Sequence, residues 1–513
     1  MTAVGSDARY SLDGPAGGPG RATGPGLRFR RLGVAGIAAA AALAWLPFVG
    51  KQLSPDEGGF LLVASQWSPG TSLYGDYWVD RPPLLIALFG LVDRLGGSVA
   101  LRPIGIGFVV VSVVVAGALG ALASRPTAAW GALVPAAVAA IFLSTPLFGT
   151  TEVDGELLAV PFVLGGVAAL LRSCLADSRR SVFAWAMAAG ALAAGAALIK
   201  QNVVDVFVFA AVVTVQLARS RPGRSAAGRL VAFGTGALVA TAVAVAAATA
   251  RGTRPGALWD AVIMFRFDAA AVIRASANDA TAARFHSLLL AFLFSGAPLV
   301  VAACAVRLRA TVASVDPPAR PVPDLRWPAA AVAAWEVAAV AMGGSYWLHY
   351  LIGVVPGLVL LVVAAGQRPR SRSSAGLLGA TVYAAIAAVA VVGWAAIHPP
   401  DNDADAQVVA YLRAHAAAGD SVVVGFGHPN IVADAGLTSP YSELWSLPVR
   451  VRDNQLAELT GVLEGPARPT WVVVSGDTLA TWGVQPDTAQ AQLEQRYRQV
   501  AALGGYLIYH AQP

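Results

Sequence analysis

The chain has 513 residues, 56% of them hydrophobic and only 13% charged, with a mean hydropathy of +0.62 and a formal net charge of +6. This composition excludes a single soluble domain and describes a polytopic α-helical membrane protein. The basic balance does not point to nucleic acid, because the arginines lie in short segments between apolar runs, where they set orientation. With only Cys174 and Cys304, each near the end of an apolar segment, a disulfide framework is not expected either.

Residues 1–31 open with a Gly-, Ala- and Pro-rich stretch expected to be disordered and cytoplasmic. RFRR (Arg28–Arg31) then precedes the run that begins at Leu32. That run is long and many others follow it, so it reads as an uncleaved first crossing and not a secretory signal. Basic residues ahead of it place the N-terminus inside and the next segment, 51–101, outside. This segment contains SPDEGGF, with the adjacent carboxylates Asp56 and Glu57, followed by Asp76, Asp80 and Arg81. Within it, PPLLIALFGLVDRLG is apolar for only about 12 residues, too short to span, and reads as an in-plane or re-entrant helix. Further crossings are expected near 102–122, 128–145, 156–172, 183–199, 203–218, 229–250, 286–305, 328–343, 347–365 and 376–396. Together with the first they make eleven and leave the C-terminus outside. The segments so assigned to the cytoplasm all carry arginine, as the orientation rule requires: ASRPT, RSCLADSRRS, ARSRPGRSAAGR, RLRATVASVDPPARPVPDLR and GQRPRSRSS.

The same topology collects the polar residues on the outer side. They include Glu152, Asp154 and Glu156 of TTEVDGE, the turn Lys200–Gln201–Asn202, the arginines of the loop 251–285 (Arg266 among them), His286, and His349 and Tyr350 of SYWLHY. Lys51 and Lys200 are the only lysines, and both fall outside. An ammonium at a helix end suits a phosphate as a point charge; the plainer alternative is a lysine snorkelling to lipid phosphate. Asp56 and Glu57 are either a solvated loop or, held near the membrane surface by Pro55 and the following glycines, a catalytic pair. Removing a proton from a hydroxyl while a phosphate departs needs one carboxylate base and cations on the leaving group, and both are available. A divalent metal is a further option, held by Asp56, Glu57, Glu152 or Asp154 with His286 or His349, although nothing has ligand spacing. His349 is equally an interfacial histidine bonded to backbone, and Trp347 and Tyr350 equally an aromatic belt.

In the loop 251–285, ALWDAVIMFRFDAAAVI interleaves apolar and charged residues and is expected to form a helix along the outer interface, lidding a donor or simply packing on the bundle. From residue 398 the composition turns polar. AQVVAYLRAHAAAG reads as a helix, SVVVGFG and TWVVVSG as buried strands, LEQRYRQVAALGG as a helix and YLIYH as a strand, making a small α/β domain over 398–513. Its GFGHPN and VSGDT turns lack a phosphate-loop fingerprint. Trp445 and Tyr441 in PYSELWSLPVRVRDNQL either contact sugar or form the seam to the membrane part, the seam being favoured. Glu336 is the main intramembrane charge, pairing with an arginine or lining a cavity.

The order PDEGGFLLVASQW, LYGDYWVDRPPLLIALFGL, LRPIGIGF, TTEVDGELLA, AALIKQN and SYWLHYLIGVVP resembles the protein O-mannosyltransferase and lipid A aminoarabinose transferase superfamily, membrane glycosyltransferases of the GT-C fold. The likeness is good over roughly the first 205 residues and looser beyond. It implies inverting transfer of a sugar from a polyprenyl-monophosphate donor to a hydroxyl on a glycan, lipid or protein acceptor at the outer face of the plasma membrane. Asp56 matches the base that activates the acceptor and Glu57 its partner. Asp154 lies closest to the second acid, and Lys200 to the cation near the donor phosphate. Arg81 and Arg102 match the motif arginines, structural or phosphate-positioning, and Arg266 is a further phosphate candidate. Glu152, His349 and Tyr350 remain as acceptor or sugar contacts. The competing class is a noncatalytic polyprenyl-lipid-binding protein or a lipid or saccharide transporter. A transporter is disfavoured by helices of Ala, Val, Leu and Gly almost throughout and by the absence of an internal repeat.

Overall fold

The computed structural model describes residues 25–67, 69–124, 130–220, 224–275, 279–309, 322–368, 372–398 and 403–513. Residues 1–24 of the expected disordered terminus, and parts of four of the expected cytoplasmic segments, lie outside these ranges. Residues 25–31, expected to be unstructured, are helical: helix α1 starts at Pro25 and runs Pro25–Trp45.

Two short helices follow, α2 (Pro55–Gln66) and α3 (Pro83–Arg94), before the first long one after α1, α4 (Ser98–Ala123). The bundle continues with α5 (Trp130–Phe142), α6 (Gly155–Leu175), α7 (Arg179–Ile199), α8 (Asp205–Ser220) and α9 (Arg224–Ala250). A nearly continuous helical stretch, α10 (Pro255–Trp259), a π-turn (Asp260–Met264) and α11 (Phe265–Ala275), leads to α12 (Asp279–Phe294), α13 (Ala297–Arg309) and α14 (Arg326–Gly343). A 3-10 turn at Leu348–Val354 then opens α15 (Val355–Gly366), and α16 (Arg372–Ile397) ends the membrane part. Among the described residues seven helices are long and apolar enough to cross a membrane, or eight if α12 and α13, bent by 56° at their break, count as one span. The chain is therefore a multi-pass membrane protein. Each of the eleven expected crossings falls on one of these helices, but α5, α8 and α14 are shorter or less apolar than a full span.

Small residues let the helices approach closely. A Cβ on Gly190 of α7 would collide with the Phe233 carbonyl of α9, and one on Gly236 of α9 with the Met187 carbonyl of α7. Such reciprocal contacts are how bundles associate where lipid removes the hydrophobic drive. The opposite face of α9 leaves Val231 and Leu238 exposed, as a lipid-facing surface does. Among the described residues, buried Glu336 meets no arginine. Both of its oxygens accept from Gly357 N, at 2.8 and 3.0 Å, in the first turn of α15, and it is hydrogen-bonded to Asp205 of α8.

Residues 403–513 form an α/β unit: α17 (Asp403–His415), β1 (Val422–Gly425), α18 (Pro429–Ala435), α19 (Ser446–Arg452), α20 (Ala457–Glu464), β2 (Trp471–Ser475), α21 (Asp487–Arg496), β3 (Tyr497–Leu503) and β4 (Tyr506–Ala511). The sheet order is β1-β2-β4-β3, with β1 parallel to β2 and the other pairs antiparallel. The expected helix over LEQRYRQVAALGG is overturned in its second half. It stops at Arg496, and Tyr497–Leu503 is a strand joined to β4 through Gly504 and Gly505, both at positive φ, the backbone of a two-residue hairpin.

Candidate active site

SPDEGGF is a helix start and not a loop. Ser54 caps α2, accepting from Glu57 N at 3.2 Å while the Glu57 carboxylate accepts from Ser54 N at 2.9 Å; Pro55 sits in the first turn, where a missing N–H costs nothing. The capping box points Glu57 into the protein, where it is fully buried, and leaves Asp56 half-buried at the helix start. Glu57 Oε1 also accepts from Val153 N at 2.9 Å and Arg102 Nε at 3.1 Å, and Oε2 accepts from Arg102 Nη2 at 2.8 Å. Arg102 in turn donates to the carbonyls of Phe48, Lys51 (2.8 Å) and Gln52 (2.7 Å). All five of its N–H groups are thus engaged, and none remains for a phosphate. Glu57 and Arg102 bolt four pieces together: the segment 48–52 after α1, α2, α4 and the turn before α6.

That turn presents the acidic cluster. Asp154 caps α6, its Oδ1 accepting from Leu157 N at 2.8 Å, while its Oδ2 is buried and takes no hydrogen bond. Burial, and next the neighbouring Glu156, hold the Asp154 carboxyl well above its ordinary value. Glu152 Oε1 lies 3.4 Å from His349 Nδ1. Burial pushes the Glu152 carboxyl up, but the hydrogen bond and charge of His349, with Ser54 and Arg102, together outweigh it and the net direction is down. One ligand atom each from Glu152, Asp154 and His349 lie within 4.8 Å of one another, the sole such trio among the described residues. Two carboxylates, an imidazole and an orphaned buried oxygen fit a divalent cation. His286, the other histidine considered for a metal, is exposed and outside this cluster.

Lys200, at the end of α7, pairs with Glu156 and not with Asp154, and its ammonium lies 5.1 Å from the Tyr350 ring centroid. Next to it, Gln201 Nε2 donates to the Asp80 carbonyl at 3.2 Å. The carboxylate of Asp80, a residue only 7% exposed, holds two cations: Arg81 Nη1 at 2.5 Å, and Arg266 of α11. The π-turn before α11 packs Ala261 and Phe265 against Trp78, the two rings 4.6 Å apart, and so brings Arg266 to Asp80. Apart from these contacts the Arg81 guanidinium takes no hydrogen bond among the described residues, and Arg266 Nε is buried without a partner.

Asp56, Glu57, Arg81, Arg102, Glu152, Asp154, Lys200, Arg266, His349 and Tyr350 therefore meet at the end of the bundle that carries the α/β domain, whereas His286 and Glu336 do not join them. Asp80 as the anchor of two arginines, and Glu156 as the partner of Lys200, were not assigned those roles. The only sequence signal for either is an acid beside or near a cation on the same side. Trp445 lies on the seam, and its Nε1 donates to Asp56 Oδ1 at 3.0 Å.

Comparison of the fold finds ArnT from Cupriavidus metallidurans bound to undecaprenyl phosphate, with a TM-score of 0.60 at 14% identity, covering 94% of this chain and 99% of that one. The apo state of the same protein gives 0.56 over the same shares. No protein-family model matches the chain, and no curated protein matches it in sequence. The likeness shows that the chain has the fold of ArnT.

Proposed function

We propose that the protein transfers a sugar from a polyprenyl-monophosphate donor to a hydroxyl acceptor on a glycan, lipid or protein, with inversion, at the outer face of the plasma membrane. The observation that carries this reading is the gathering, at one end of a GT-C fold, of a half-buried carboxylate with a free oxygen and three cations. Asp56 Oδ2 takes no hydrogen bond among the described residues and is the base that receives the acceptor proton. Lys200, Arg81 and Arg266 face the departing phosphate; their present partners, Glu156 and Asp80, hold them in place until a more strongly charged anion arrives. A phosphate monoester neutralised by cations leaves without a general acid.

Glu57 and Arg102 do not touch substrate in this reading; they position α2. Glu152, Asp154 and His349 would hold a divalent cation, which supplies positive charge to the phosphate oxygens when bound, and Tyr350 contacts the sugar or acceptor. The structure of ArnT with undecaprenyl phosphate supports a lipid-phosphate ligand for this fold.

The test incubates membranes carrying the native protein or Asp56→Asn with a panel of polyprenyl-monophosphate sugars and cell-envelope extract, following each donor by mass spectrometry. Consumption of one donor by the native protein, reduced at least a hundredfold in the variant, is expected. Equal consumption by both would remove Asp56 from the chemistry, and consumption of no donor would leave lipid binding or transport as the better reading.

A further inference from the structure

The α/β domain closes over α2 with unusual intimacy. A Cβ on Gly58 would collide with the backbone of Asn430 in α18, and a Cβ on Gly59 with the six-membered ring of Trp445. The two glycines after the acidic pair are therefore the surface on which the domain sits. Trp445 packs its ring against Gly59 and Phe60, the centroids of Phe60 and Trp445 lying 5.5 Å apart, and this leaves its indole N–H aimed at Asp56 Oδ1. The same segment is fastened on its other side to the first loop. Trp78 N donates to the Ser442 carbonyl at 2.9 Å, Ser439 N to the Tyr77 hydroxyl at 2.8 Å, and Arg452 pairs with Glu443 while lying 4.4 Å over the Trp78 ring. Trp445 is thus held from both sides, and a ring already packed on Gly59 and Phe60 is poorly placed to serve as a platform for sugar.

We infer that Trp445 is a positioning residue of the active site, through which the α/β domain orients the Asp56 carboxylate. An indole N–H is a donor only, so it fixes one carboxylate oxygen and cannot compete for the acceptor proton. With Oδ1 tied down, the lone pairs of Oδ2 are directed, and one rotamer of Asp56 is selected before the acceptor arrives. This role rests on the transferase reading given above.

The test compares Trp445→Phe, which keeps an aromatic ring on Gly59 but removes the N–H, with Gly59→Ala, which displaces the ring, and with Arg452→Ala, which loosens the seam without touching Asp56. The readouts are kcat, the KM values for donor and acceptor, and the unfolding temperature in detergent. Trp445→Phe is expected to lower kcat about tenfold with both KM values and the unfolding temperature close to native. Gly59→Ala is expected to show the same kcat loss, and Arg452→Ala to lower the unfolding temperature while sparing kcat. A native kcat in Trp445→Phe, or a loss that tracks unfolding temperature across all three variants, would overturn the inference while leaving Asp56 as the base. Failure of the native protein to transfer any sugar would remove the transferase reading, and the positioning role with it.

Discussion

At the scale of single residues, the two adjacent acids of SPDEGGF have different fates because a capping box decides which one turns inward. Glu57 is the third residue of α2 and must reach back to Ser54 N; Asp56, one residue earlier, is left at the helix start. The pattern S-P-D-E contains this information, since a Ser followed three residues later by Glu is a helix N-terminus signature, yet the segment reads as a loop when only its Pro and Gly are weighed. What sequence cannot supply is the partner of Glu57, Arg102, which lies 45 residues away and meets it only when α4 packs beside α2. The Glu57 and Arg102 pair is nearly dry, with side-chain exposures of 0% and 4%, so removing one charge strands the other. Glu57→Gln is expected to destabilise the protein by about 3–5 kcal/mol, and Arg102→Lys to fail to compensate, because an ammonium offers three donors where five are used. Asp56→Asn, by contrast, is expected to unfold at the native temperature. Thermal unfolding of the three variants in the same detergent separates the acid that holds the fold from the acid proposed as the base.

At the scale of elements, the turn between α5 and α6 shows why local composition told so much. TTEVDGE announces itself as acidic, and Asp154 before an apolar run announces an N-cap, so cluster and helix start are both legible. Its approach to His349, nearly two hundred residues later, is not. That contact depends on Gly149, at φ +73°, where a Cβ would meet His349 N at 2.6 Å. Only glycine combines a left-handed turn with this clearance. Manganese is expected to raise the unfolding temperature of the native protein, because a cation that binds only the folded state stabilises it by mass action. Asp154→Asn is expected to abolish the response, and Gly149→Ala to lower the temperature even without metal, by about 1–3 kcal/mol of stability. A calorimetric titration with and without Mn2+ reads all three, and an unresponsive native protein would strike the cation from the site. The hairpin of β3 and β4 departs from the expected helix for a related reason. A run of Ala, Val and Leu ahead of Gly504 and Gly505 fits helix as well as strand, and it is pairing with β4 that settles the matter.

At the scale of the whole molecule, hydropathy made the membrane class plain, whereas the number of crossings depends on helices such as α14, where Arg326 and Glu336 dilute the apolar run. Sidedness is the property on which the function turns, because the site, the α/β domain and the C-terminal ends of α1 and α7 all lie at one end of the bundle. The opposite end carries Arg172, Arg179 and Arg180 around the connection between α6 and α7. Arginine in short loops is retained on the cytoplasmic side, so this distribution is expected to face the candidate site outward. The two native cysteines are half-buried and buried, which leaves engineered thiols readable against a low background. Asp477→Cys in the α/β domain and Asp177→Cys beside the arginine cluster are both at exposed positions. A membrane-impermeant maleimide is expected to label Asp477→Cys in intact cells and Asp177→Cys only after the membrane is opened. The reverse pattern would put Asp56 and its cations in the cytoplasm, where a donor presented on the outer leaflet would never reach them.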